Sequence, residues 1–400
     1  MIPSVAAPRS PSARAAGPSM PFSRAVDGVE EAMSIKFNNL IYDLERQGKR
    51  VLVMSLGEAF FDIPLFPMEE LPFPQIYHYS HSRGIFELRA KLAAYAGREY
   101  GLAIDPDNEI LITAGAKAAI HFALMAILNP GDEVLIPEPA WVSYTEQVKL
   151  CHAVPVTAPL GTSTFELERL ITKRTRAIII NTPHNPTGYI YTRAELEHLL
   201  ELAERHGLWI LSDEAYSDFV LPGDRFVSLG SLDPAKARSI VVNSMSKNYG
   251  MSGWRVGYVA GRADLIYRVL KVNQHLITCP ATILQLYLAR HFERILEITK
   301  PQIHAVCRRR NALQAYAAEL GMHSLPGSAT FYFFLSIEPS RLDSVAFCTQ
   351  LLLDHQVSAV PGIGYGRSCD RHIRVSVGTA SDEESRRGLD TIRRLIDRTR

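Results

Sequence analysis

Between Glu109 and Val259 the chain keeps returning to short, mostly continuous apolar runs: Ile110–Thr113, Glu133–Ile136, Ala177–Ile180, Leu208–Leu211, Ser239–Val242 and Val256–Val259. A strand with one face in water alternates apolar and polar residues, whereas a strand buried on both faces of a parallel sheet need not. Helical patterns fill the gaps. The clearest is Thr192–His206, where Thr192 and Glu195 form a capping box, Leu196, Leu199, Leu200 and Ala203 make one stripe, and Gly207 supplies the stop. This alternation predicts an α/β domain with helices on both faces of a parallel sheet. With 400 residues, 47% of them hydrophobic, the chain has ample material for such a core.

Outside this region the pattern changes. Ser34–Gly48 reads as a helix and Val51–Met54 as a short strand, while longer helices follow Pro280. Thr330–Leu335 and Ile373–Val377 then read as strands well separated in sequence, an α+β pattern that marks a second, smaller domain. The expected division is 56–284 for the large domain, with 34–55 and 285–400 in the smaller one. Residues 1–33 are expected to form a disordered tail, because Met1–Arg24 is rich in Ala, Pro, Ser and Arg and lacks acidic residues. The tail has no apolar core of a secretory signal; a transit-like role and a start at Met20 are the other readings.

Several function classes lose support. Lys and Arg number 43 against 42 Asp and Glu, so a formal net charge of +1 gives no reason to expect nucleic acid or an anionic membrane as partner. The Arg308-Arg309-Arg310 run reads as a solvated helix face. Five scattered cysteines without a C-x-x-C pair indicate neither a zinc site nor a disulfide framework, and a cytoplasmic location is the default. No apolar run approaches the roughly 20 residues a membrane span needs.

In open α/β sheets, ligands gather beyond the carboxyl ends of the strands. Polar clusters stand at four such ends: Gly115-Ala116-Lys117, Asn185-Pro186-Thr187-Gly188, Asp213-Glu214-Ala215-Tyr216, and Ser244 to Lys247. Lys247 lies between hydroxyls, with Arg255 eight residues on in a Gly-rich turn. A lysine that forms an imine must be held where its neutral form is favoured, and guanidinium pairs well with phosphate. Together these suggest pyridoxal phosphate, an aldehyde that carries a phosphate; alone, the segment reads equally as a basic surface loop. An Asp at the end of a buried strand would suit a protonated ring nitrogen, as Asp213 does here, or would cap a local turn. Asn185 and Tyr216 are placed to donate to a phenolate oxygen, and Trp141 to stack on a ring or to sit in the core.

Taken jointly and in order, Gly115-Ala116-Lys117, Trp141, Asn181 to Gly188, Ser212 to Tyr216 and Ser244-x-x-Lys247…Arg255 resemble the class I/II aminotransferases, which are fold-type I enzymes dependent on pyridoxal phosphate. The resemblance runs from about Ser34 to the C-terminus. It implies a mostly parallel seven-stranded sheet flanked by helices, and a ping-pong exchange of an amino group between an amino acid and a 2-oxo acid. It implies that Lys247 is the Schiff-base lysine and proton shuttle, and that Asp213 pairs with the ring nitrogen. Asn185 and Tyr216 would meet the 3-hydroxyl, and Trp141 would stack on the ring. Ser244, Ser246, Arg255 and the Gly115–Lys117 backbone would hold the phosphate. Arg374, in Ile373-Arg374-Val375-Ser376, would grip the substrate α-carboxylate, with Asn185 and Gly57 on the substrate side. Tyr79 would reach the phosphate of a partner subunit, which implies a homodimer.

Departures leave the substrate open. Ala59-Phe60 stands where the family usually has Pro-Asp, and the link from Asp62 to Tyr79 is short. Phe60, Phe61, Phe66 and Phe73 would line an apolar mouth or pack as core. In one subgroup of the family a lysine placed like Lys117 binds a distal carboxylate, which favours acidic substrates; pointing to solvent is the other reading. No arginine lies near Thr278-Cys279-Pro280, where another subgroup binds the side chain. Elimination, oxidation and cyclisation occur on the same fold and form the competing reading. A regulator reading lacks room for a DNA-binding module ahead of the first helix. Gly362-x-Gly364-x-Gly366 has no strand-to-helix setting for a dinucleotide, and His184 reads as structural support for Asn185.

Overall fold

The structure, a computed structural model, describes residues 22–400. Its strands are β1 (Leu52–Val53), β2 (Ile110–Thr113), β3 (Glu133–Pro137), β4 (Val154–Ala158), β5 (Thr175–Asn181), β6 (Trp209–Asp213), β7 (Ser239–Ser244), β8 (Gly257–Ala260), β9 (Tyr332–Ser336), β10 (Val357–Ser358), β11 (Val360–Pro361) and β12 (His372–Ser376). Seven form one sheet in the order β2-β8-β7-β6-β5-β3-β4. Its pairs are parallel from β4 to β7, and β8 runs antiparallel to both β7 and β2.

Burial on both faces explains the continuous apolar runs. Ile136, Ile179 and Leu211 pack with Ile120 and Ile266, from helices Ala116–Ile127 and Ala263–Leu276. Their neighbours Leu135, Ile178, Ile180 and Ile210 face the other way, against Leu196, Leu199 and Leu202 of helix Arg193–His206. That helix has the expected Thr192–Glu195 capping box and ends at Gly207 in a left-handed conformation. The apolar-run rule missed β4. It is an edge strand, partly exposed and carrying Pro155, and neither feature belongs to a doubly buried strand.

The smaller domain joins the two ends of the chain. β11, β12 and β9 form an antiparallel sheet, and β1 pairs in parallel with β10. Helix Met33–Arg46 contributes Phe37, Ile41 and Leu44 to the same apolar cluster as Phe347, Leu351, Leu389 and Ile392.

Two expectations need correction. Residues 1–21 of the expected tail lie outside the described residues, but residues 22–32 are not a loose tail. They include a helical turn at Arg24–Asp27, and the Glu30 N–H donates to Glu146 while Lys149 Nζ donates to the Gly28 carbonyl. Nor is the arginine run a solvated face: Arg308 is exposed, whereas the Arg310 side chain is fully buried in helix Thr282–Glu319.

Candidate active site

β5, β6 and β7 deliver the chemistry at their carboxyl ends. Asp213 closes β6, and its buried carboxylate accepts from the Tyr144 hydroxyl at 2.7 Å and from the Ala215 N–H at 3.2 Å. Burial pushes its pKa up to about 6, against the lowering effect of those two donors and of the Lys247 charge. It forms no ion pair among the described residues, so a cationic N–H donor is the partner its environment lacks. Lys247 follows β7 in a short helical turn, where its Nζ donates to the Gly57 carbonyl and lies 5.9 Å from the Tyr216 ring centroid. Burial brings its pKa down to about 8, so a neutral amine is accessible near physiological pH.

An anion cradle adjoins the lysine. Arg255 holds a left-handed backbone conformation, and its Nη1 donates to Ser246 Oγ at 3.1 Å and to the Ser252 carbonyl at 2.6 Å. Ser244 Oγ accepts from the Ser246 N–H at 3.0 Å. Helix Ala116–Ile127 opens beside them with no side-chain cap. A Cβ on Gly115 would stand 2.5 Å from Arg255 Nη2, and one on Gly257 would stand 2.6 Å from the Ala116 nitrogen, so glycine is needed at both positions for this approach. Uncapped amides, two hydroxyls and a guanidinium form a donor set for phosphate.

Arg374 comes from β12, in the three-stranded sheet. It is buried, donates to the Ser55 carbonyl at 2.6 Å and to Asn185 Oδ1 at 3.3 Å, and lies 4.4 Å from the Tyr332 ring centroid. Its Nε has no partner among the described residues. The Asn185 N–H is held by Asn181 Oδ1 at 2.7 Å, and the Tyr216 hydroxyl meets that of Tyr332 at 3.1 Å. Gly57, Lys117, Trp141, Asn185, Asp213, Tyr216, Ser244, Ser246, Lys247, Arg255 and Arg374 line one cavity of about 280 Å³.

Not every expected residue belongs to that cavity. Tyr79 is 87% exposed and lies outside it. The phenylalanines build no apolar mouth: Phe66 is buried against His291, Phe61 packs on Phe219, and Phe60 and Phe73 are exposed away from the cavity. His184 is structural, since its ring contacts Thr187 Oγ1 and the Pro139 carbonyl and burial lowers its pKa to about 4. Lys117 is exposed, yet its ammonium lies 5.1 Å from the Trp141 ring centroid. Burial, then the charge of Arg255, hold its pKa below the ordinary lysine value. Sequence reasoning missed Tyr144 and Ser55, and it placed Tyr332 only within a strand.

The family model for aminotransferase class I and II matches residues 58–392. The chain belongs to this family. It is a pyridoxal-phosphate-dependent aminotransferase with the fold-type I architecture. The aromatic-amino-acid aminotransferase 2 of Thermococcus litoralis is 33% identical over 367 residues, covering 89% of this chain and 94% of its own. The aspartate/prephenate aminotransferase of Thermus thermophilus is 33% identical over 388 residues, covering 94% and 99%. The solved structure of Thermus thermophilus aspartate aminotransferase with maleate superposes with a TM-score of 0.86 at 30% identity, covering 94% of this chain and all of that one. No helix among the described residues is long and apolar enough to cross a membrane.

Proposed function

We propose that the amino donor of this aminotransferase is a dicarboxylic amino acid, with Arg374 taking the α-carboxylate and Lys117 the distal one. The observation that carries this reading is the cavity's charge layout. The buried Arg374 guanidinium and the Lys117 ammonium line the same space, and no phenylalanine does. The similarity to an aspartate/prephenate aminotransferase supports it.

The residues present fit pyridoxal phosphate: a buried acid without a cation, a partly neutral enclosed lysine, and a phosphate cradle that a side chain at 115 would fill. Asp213 would hold the ring nitrogen, Arg255, Ser244, Ser246 and the Ala116 amide the phosphate, and Asn185 and Tyr216 the ring hydroxyl. When bound, the cofactor supplies an aldehyde that joins amino groups and a ring that draws electrons from Cα. Arg374 orients the substrate through a guanidinium fixed by Ser55 and Asn185. With the cofactor bound, Lys247 Nζ would take the Cα proton and later give it up, acting as general base and then acid. A 2-oxo acid re-enters the same grip, and Lys247 runs the transfer in reverse. Tyr79, exposed on this chain, serves the site of a second copy in a homodimer.

A kcat/KM panel of aspartate, glutamate, phenylalanine and valine tests the substrate reading, in the native enzyme and in Lys117→Met. A lost hydrogen bond to a charged group costs about 1.5–3 kcal/mol, so aspartate should lose roughly 10- to 100-fold and phenylalanine little. Preference of the native enzyme for phenylalanine, or an unchanged aspartate rate in the variant, would overturn the proposal.

A further inference from the structure

Arg310 is a fully buried cation with no acidic partner among the described residues, and burial lowers its pKa to about 10. Its acceptors are oxygens from separate parts of the chain. Nε donates to the Tyr332 carbonyl at 2.8 Å, Nη2 to the Thr187 carbonyl at 2.8 Å, and Nη1 to the Gly327 carbonyl at 2.5 Å and to Asn311 and Gln314. Thr187 lies two residues beyond Asn185, in the loop after β5. Tyr332 opens β9, supports Arg374 with its ring, and meets Tyr216 with its hydroxyl. The same two segments are also stitched by the Ser328 and Ala329 N–H groups, at 3.1 and 3.0 Å from the Gly188 carbonyl.

We propose that Arg310 is a positioning residue, which pins the Asn185 loop and the Tyr332 strand to one rigid guanidinium and so sets the spacing of the Arg374–Asn185 grip. The proposal rests on the reading of Arg374 as the carboxylate ligand. A planar fork of five donors reaches carbonyls in three directions, whereas a lysine donates from a single point. Charge alone therefore does not replace it. Arg310 touches none of the residues assigned to the cofactor phosphate or ring nitrogen, so those two anchors stay in place when the Asn185 loop and the Tyr332 strand shift.

Arg310→Lys, purified with cofactor, is the test, scored by KM and kcat for amino acid and 2-oxo acid, bound cofactor and thermal midpoint. Misplacing reactive groups by about 1 Å costs up to about 100-fold, so KM should rise roughly tenfold or more while bound cofactor stays stoichiometric. A fallen midpoint with unchanged KM would mean a purely structural role and overturn the proposal. Gln314→Leu, which removes one acceptor of the same guanidinium, guards against a variant that fails to fold. It should raise KM in the same direction by less, and an unchanged KM again counts against the idea. Arg374→Ala separates the two readings: an unchanged KM there defeats the Arg374 assignment, whereas a raised KM there with none in the Arg310 and Gln314 variants defeats only the Arg310 proposal. In the Arg374→Ala background, Arg310→Lys should add less than about twofold, because residues acting through one another are not additive.

Discussion

Replacing Asp213 by asparagine should make the cofactor-free enzyme more stable while abolishing its use. Burial raises the Asp213 pKa from 3.8 to about 6. A folded-state pKa above the unfolded value means that the native chain binds the proton more tightly. Stability tied to this group is therefore intact below about pH 3.8 and is lost as pH rises toward and through 6. Two pKa units correspond to about 3 kcal/mol, the cost of holding a bare carboxylate here at neutral pH. Asparagine carries no charge and can keep the Tyr144 bond through its amide oxygen. Its NH₂ must then face the Ala215 N–H, which offsets about 1 kcal/mol. Asp213→Asn should thus gain roughly 2 kcal/mol in the apoenzyme at pH 8 and lose roughly 1 kcal/mol at pH 3.5, where only the amide mismatch remains. Denaturant titrations of both apoenzymes at several pH values, at one protein concentration, measure this directly. A gain that does not depend on pH, or a loss at pH 8, would refute the electrostatic account. The same variant should retain pyridoxal phosphate poorly and turn over orders of magnitude more slowly.

Lys247→Ala should lose turnover and the visible absorption of lysine-linked cofactor while keeping its fold; surviving turnover would remove Lys247 from its assigned role. Because burial lowers the Lys247 pKa to about 8, reconstitution of native apoenzyme with pyridoxal phosphate should accelerate as pH rises through 8. Stopped-flow absorbance follows it, and a rate flat from pH 6 to 9 would contradict a buried amine. Gly115→Ala places a Cβ against Arg255 Nη2 at a backbone φ of +82°. An L-residue in that extended, essentially Gly-only region costs about 1–3 kcal/mol, so the thermal midpoint should fall, and displacement of the Arg255 guanidinium should weaken cofactor binding, as read by equilibrium dialysis.

Legibility followed the range of the contacts. Asn185, Asp213 and Lys247 were readable because each sits at the end of an apolar run, where parallel topology itself puts ligand chemistry. Tyr144 bonds Asp213 from 69 positions away, and Arg374 reaches Ser55 across 319, so no local pattern announces either pairing. Basic residues in succession usually lie on solvated faces, which is why Arg310 was misread; its carbonyl acceptors carry no sequence signature. The phenylalanines near residue 60 stayed open between mouth and core for a related reason, since aromatic residues in an irregular segment reveal neither which face they take nor what covers them; Phe61 and Phe66 pack as core.

The pairing of β1 with β10 bears on when activity begins during synthesis. The Met54 N–H donates to the Ser358 hydroxyl 304 positions downstream, and Gly57, whose carbonyl receives the Lys247 ammonium, lies only three residues past Met54. The large sheet has all its strands once residue 260 has left the ribosome. The wall over the lysine must wait for nearly the whole chain, because non-local pairings form only after both partners exist. A ribosome-bound chain ending before residue 357 would hold a finished cofactor cradle with an open lysine, and would be a scaffold without catalysis.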